Sequence, residues 1–128
     1  MTQLVIVTAD INRFAEFSAA LESLYGTVLW AANGERALAM LAKEAVDLVV
    51  VDENLGDMAG LTFVERLVTV NPLINSAVVS SLPKGDFHEA SEGLGVLMAL
   101  PPEPDKSDAK RLAAHLDRIT GITGKATN

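Results

Sequence analysis

The chain has no cysteine, which excludes a disulfide framework, a thiolate nucleophile and a zinc–thiolate site. That absence suits a reducing compartment, and the cytoplasm is the expected location. No apolar run reaches the roughly 18 residues that a membrane-spanning helix needs, so no membrane association is expected. Met1-Thr2-Gln3 lacks the basic stretch that opens a signal peptide and runs straight into an apolar segment. Basic residues are scarce: 10 Lys and Arg stand against 17 Asp and Glu, for a net charge of −7. Diffuse negative charge repels phosphates. Where basic residues gather, at Lys106, Lys110, Arg111 and Arg118, the acids Asp105, Asp108 and Asp117 are interleaved. Nucleic-acid binding is therefore not expected. The two histidines, His88 and His115, are isolated, lack metal-ligand spacing and are expected to face solvent.

What is present is a regular alternation of strand-like and helix-like segments. At 128 residues and 49% hydrophobic, the chain suits one domain with one core. Gln3–Val7 reads as a first strand. Ile11, Phe14, Ser18, Leu21 and Leu24 recur at helical spacing, with Asp10 as N-cap and Gly26 as terminator. Thr27–Ala31 is a second strand, and Asn33 caps a second helix through Ala37, Leu38, Leu41 and Ala45. The apolar run Leu48–Val51, set between Asp47 and Asp52, reads as a strand buried on both faces, hence part of a parallel sheet. A third helix starts near Gly60, buries Leu61, Val64, Leu67 and Val68, and stops before Pro72. Ala77–Ser80 is a fourth strand, Pro83–Glu92 holds at most a short helix, and Val96–Leu100 is a fifth strand. After Pro101, Pro102 and Pro104, either Asp105 or Ser107 caps a last helix with Leu112, Ala113, Leu116 and Ile119 on one face. Trp30 and Phe87 are expected to pack rather than form a binding platform. Five βα units with short loops imply a single doubly wound α/β domain over residues 1–120, with 121–128 a flexible tail or the start of a linker.

Asp52 draws attention because it emerges at the carboxyl end of a buried strand, the edge where open α/β sheets place ligands and chemistry. The segments around it resemble a known family. Asp47-Leu-Val-Val-Val-Asp52, Leu55-Gly56-Asp57-Met58-Ala59-Gly60-Leu61, Asn33-Gly34-Glu35-Arg36-Ala37-Leu38 and Gly93 through Pro101, in this order and spacing, are similar to the response-regulator receiver domain of two-component signalling. The resemblance implies a flavodoxin-like five-stranded parallel sheet of order 2-1-3-4-5. It makes Asp52 the phosphoacceptor position and Ser80 the switch Ser/Thr position. Asn54 matches the position whose backbone carbonyl binds the metal. The implied partners are a histidine kinase or an output protein, reached through the fourth helix, fifth strand and fifth helix, with a homodimer through that face as a further expectation.

The departures from the family pattern are equally specific. Two acids normally end the first strand and hold magnesium; here Thr8 and Ala9 stand there, and Asp10 comes one position late. The family's lysine falls on Leu100 and its loop proline on Gly56, while Ala59 replaces the aspartate before Gly60. Magnesium wants carboxylates and water in octahedral geometry, and phosphoryl transfer rests on charge neutralisation. Losing one such contact commonly costs about 10²–10³ in rate. The expectation is a degenerate receiver: a protein-interaction module, not an enzyme, with Asp52 phosphorylated weakly or not at all in a pocket without positive helpers, and with no cofactor. One alternative is a working phosphoacceptor whose shifted metal site uses Asp10, Asp52 and the Asn54 backbone together with Glu53. Glu53 and Asp57 are otherwise expected to be solvated loop acids. A second alternative, a flavodoxin-like small-ligand or flavin binder, would want a phosphate loop after the first strand, and Thr8-Ala9-Asp10-Ile11-Asn12 is a poor one.

Overall fold

The computed structural model describes residues 3–124. Its sheet is built from β1 (Leu4–Val7), β2 (Val28–Ala31), β3 (Leu48–Val51), β4 (Asn75–Val79) and β5 (Val96–Leu100). All neighbouring strands are parallel, in the order β2-β1-β3-β4-β5. The helices are α1 (Ala15–Tyr25), α2 (Gly34–Leu41), α3 (Gly60–Val70), α4 (Lys84–Ser91) and α5 (Lys106–Gly124). Both the fold class and the strand order match the sequence expectation.

Every residue of β1 and β3 is buried, because each strand is flanked by another and covered on both faces. Alternate side chains therefore feed two cores. On one side Leu4, Ile6, Leu48 and Val50 meet Phe14, Phe17 and Leu21 of the α1 region and Leu112 and Leu116 of α5. On the other, Val5, Val7, Val49 and Val51 meet Ala37 of α2 and Phe63, Val64 and Leu67 of α3. Phe14 and Phe17 stack edge to face at 6.1 Å. Phe17 and Phe63 replace some expected core residues: Ile11, Leu24 and Ile119 are exposed, and Leu61 and Val68 are only half-buried. The shift on α1 has a local cause. A 3-10 turn, Ile11–Phe14, precedes the helix and changes its phase relative to a continuous 3.6-residue period.

Three helix starts show how the ends are satisfied. Asn33 caps α2 as expected, its Oδ1 accepting the Arg36 amide at 2.9 Å. At α5 the cap is Asp105: its Oδ1 accepts the amides of Ser107 and Asp108, while Asp108 Oδ2 accepts the Asp105 amide at 2.9 Å. Asp10 is not the expected side-chain cap of the first helix; it is exposed, and its carboxylate caps nothing. The helical segment Lys84–Ser91 is short, as expected, with Phe87 buried beneath it. α5 runs on to Gly124, so the first four residues of the expected tail are helical; Met1, Thr2 and residues 125–128 lie outside the described residues. Among the described residues, no helix is long and apolar enough to cross a membrane.

Candidate functional site

Asp52 follows β3 directly and sits at the carboxyl edge of the sheet, with only 3% of its surface exposed. A buried carboxylate needs hydrogen bonds and a counter-charge. Three groups supply them. The Thr8 hydroxyl, one residue past β1, donates to Oδ2 at 2.7 Å. The Glu53 amide donates to Oδ1 at 2.8 Å. The Arg13 guanidinium donates from Nη1 to Oδ2 at 2.7 Å and from Nη2 to Oδ1 at 3.1 Å, a fork-on-carboxylate geometry. The expectation of a pocket without positive helpers is therefore wrong: the cation comes from the 3-10 turn, 39 residues upstream.

Arg13 reaches further. Its Nη2 donates to the Pro102 carbonyl at 2.6 Å and its Nε to the same oxygen at 3.2 Å. Its guanidinium carbon lies 5.4 Å from the Phe14 ring centroid. The hydrogen bond to Asp52 raises the Arg13 pKa, burial opposes the rise, and the charge of Asp52 adds to it. One side chain thus joins the β1–α1 turn, the end of β3 and the loop after β5.

Two further acids, Glu53 and Asp57, are also engaged. Glu53 Oε2 accepts both the amide and the hydroxyl of Ser81, at 2.8 and 3.0 Å. Asp57 is not a free loop acid either. Its two oxygens accept the amides of Gly34 and Glu35, each at 3.0 Å, so it clamps the N-terminus of α2 beside Asn33. Those amide bonds, Glu35 first, hold the Asp57 carboxyl below the usual carboxylate range. The loop between them is tight: Asn54 Oδ1 accepts the Gly56 amide at 2.9 Å, and Gly56 takes a φ of +88°, which favours glycine. Asn54 also forms an isolated bridge with Ala59.

The family model of the response regulator receiver domain matches residues 5–98, most of the chain. The chain belongs to the response regulator receiver domain family. Solved structures with the same receiver fold include a CheY-like response regulator receiver domain protein from Methanospirillum hungatei, 21% identical, covering 92% of this chain and 95% of that one with a TM-score of 0.79. A chemotaxis response regulator of Vibrio cholerae is 19% identical over 91% of this chain and 98% of its own, TM-score 0.79. A response regulator from Thermotoga maritima is 25% identical over 91% and 99%, TM-score 0.77. No curated protein matches the sequence.

Within this receiver, the positions carried over from the family lie at the same sheet edge but do not converge as a metal site. Thr8 is buried with its hydroxyl on Asp52, and Ala9 has no donor side chain. Asp10 is exposed, and its amide, not its carboxylate, meets Thr8 Oγ1 at 3.0 Å. Both Asp52 oxygens already accept hydrogen bonds, and Glu53 is turned to Ser81. That donor set does not fit magnesium, which needs several free hard oxygens. Leu100, at the lysine position, is buried in the core with Ala109, Leu112 and Leu116. Ser80 lies one residue past β4 rather than inside it, and its hydroxyl accepts the Leu82 amide at 3.1 Å, within its own turn. Arg13 is the residue that sequence reasoning missed. The available signal was physical: a buried acid that has lost its lysine requires another cation, and Arg13 is the basic residue nearest the end of β1.

Proposed function

We propose that this receiver domain acts in the cytoplasm as a protein-interaction module of a two-component pathway, with no enzymatic role and with Asp52 a poor phosphoacceptor. The observation that carries this reading is the two-point Arg13–Asp52 pair. Asp52 is neutralised by its own chain, so its oxygens are committed before any phosphoryl donor arrives. Attack on phosphorus would require Asp52 to leave that pair, in a site whose other donors do not suit a divalent cation. The rebuilt metal site through Asp10 and Glu53 is disfavoured because one acid is exposed and the other is held by Ser81.

The partner surface we assign is the groove of α4, β5 and α5, a cavity of 830 Å³. Its floor is Leu97, Met98 and Ala99, and its charged or titratable lining residues, Lys84, His88, Arg111 and His115, are all basic. In a chain of net charge −7, that rim favours a partner segment with carboxylates around an apolar residue. A homodimer through the same face would oppose two basic rims, so light scattering should give a monomer.

The phosphoacceptor reading is tested with acetyl phosphate and magnesium, followed by intact-mass spectrometry. No stoichiometric gain of about 80 Da is expected over an hour. Rapid, complete addition that disappears in Asp52→Asn would overturn it.

A further inference from the structure

A second cavity, of 520 Å³, opens at the carboxyl ends of β1 and β2, on the side of β1 away from β3. This is the ligand edge of an open parallel sheet, and the volume falls in the range of small-molecule sites, about 300–1,000 Å³. The lining is mostly apolar: alanines, Ile11 and Met40, with Trp30 as its aromatic wall. Trp30 packs partly against the core, so its indole is held from behind while still bordering the cavity. Arg36 supplies the one charge in the lining, and no carboxylate contributes.

Arg36 differs from the paired arginines. Arg13, Arg66 and Arg111 each meet an acid, Asp52, Glu35 and Asp108 respectively. The exposed Arg36 guanidinium has no acid partner among the described residues. An unpaired guanidinium beside an aromatic wall and an apolar floor is complementary to a flat, singly charged molecule. Its planar fork matches a carboxylate, and the indole suits a stacked ring. A nucleotide or flavin phosphate fits poorly, because one cation stands alone and no glycine-rich loop follows β1.

We propose that this cavity binds a small planar aromatic carboxylate, its ring against Trp30 and its carboxylate on Arg36. Thr8 also lines the cavity, and its hydroxyl is bonded to Asp52. The occupant therefore touches the end of β1, one hydrogen bond away from the family's acceptor position. The substitutions Thr8 and Ala9, which remove metal donors, leave a hydroxyl and a methyl where an aromatic anion would otherwise meet two negative charges.

The chain contains one tryptophan, so an ¹⁵N-labelled sample gives one tryptophan indole N–H resonance. Indole-3-carboxylate is titrated into the full chain, with 3-methylindole as the uncharged probe of similar shape. Saturable shifts are expected at the Trp30 indole and the Ala31 and Ala32 amides, with a Kd of about 0.1–1 mM. The uncharged probe should bind about tenfold more weakly, and Arg36→Gln should weaken the carboxylate by about the same factor. Arg36→Gln keeps the Asn33 cap, because that bond uses the residue 36 backbone amide. No saturable shift, shifts centred on another surface, or equal binding by both probes or by both proteins would overturn the proposal.

Discussion

Gly60 lies against the main chain of Asp52: a β-carbon on Gly60 would stand 2.2 Å from the Asp52 carbonyl oxygen and 3.2 Å from Val51 Cγ1. The approach is fixed from both sides, because the Gly60 amide donates to the Glu53 carbonyl at 2.9 Å. The obstacle is backbone, which has nowhere to go. Gly60→Ala should therefore cost about 3 kcal/mol, above the ordinary range for added methyl groups on a surface helix. Urea unfolding measures it, and a cost below about 1 kcal/mol would show that α3 can back away from the strand.

The Arg13–Asp52 pair should behave as one unit. Arg13→Ala strips a counter-charge from a buried carboxylate and is expected to cost about 2–3 kcal/mol, less than for a fully buried pair because the Arg13 side chain is 29% exposed. Asp52→Asn in the Arg13→Ala background removes the orphaned charge and should recover part of that loss. The double-mutant cycle should give a coupling of about 1–2 kcal/mol, and additivity within about 0.5 kcal/mol would show that the pair is incidental.

Magnesium at millimolar concentration should leave the melting temperature within about 1 °C of the metal-free value, since stabilisation follows occupancy of a site. Differential scanning fluorimetry with and without the ion checks this. A rise of several degrees would mean that Asp52 exchanges Arg13 for the cation.

Acid should loosen two helix starts. Asp57 is held below its ordinary pKa by the amides of Glu35 and Gly34, and Asp105 by the amide of Asp108 and then the hydroxyl of Ser107. For a carboxyl whose pKa is lowered on folding, the stabilisation is present above the unfolded value, about 4, and disappears as pH falls through the folded value. The wild type should therefore lose stability below about pH 4. The double variant Asp57→Asn, Asp105→Asn keeps amide acceptors but binds no proton there, so its stability should fall less over the same window. Parallel pH profiles of the two proteins would remove these carboxyls from the account.

The fold was legible because β1 and β3 are short apolar runs buried on both faces, and only a parallel sheet makes use of such runs. Asn33 was legible, and Asp105 as one of two candidates with Ser107, because donor and acceptor of a cap sit within a turn of each other; Asp10 failed as a cap because a 3-10 turn follows it. The site was legible only where it, too, was local. The losses at Thr8, Ala9 and Leu100 could be read by position: Thr8 turns a hydroxyl rather than a carboxylate to Asp52, and Leu100 is buried in the core. Arg13 could not be read that way, because its aim depends on the 3-10 turn that rotates the start of α1, and helical periodicity is blind to that rotation. Asp57 was missed for a related reason: its partners, the amides of Gly34 and Glu35, lie more than 20 residues upstream and become neighbours only when the β3–α3 loop folds back over α2.

The hold of Arg13 on the Pro102 carbonyl has a mechanical consequence. The segment from Pro101 to Pro104 is stiff and leads straight into the capped start of α5, so it moves with that helix as a lever. Displacing the lever would pull on the guanidinium that holds both the proline oxygen and the acid. A shift of α5 would thus reach Asp52 through a single side chain.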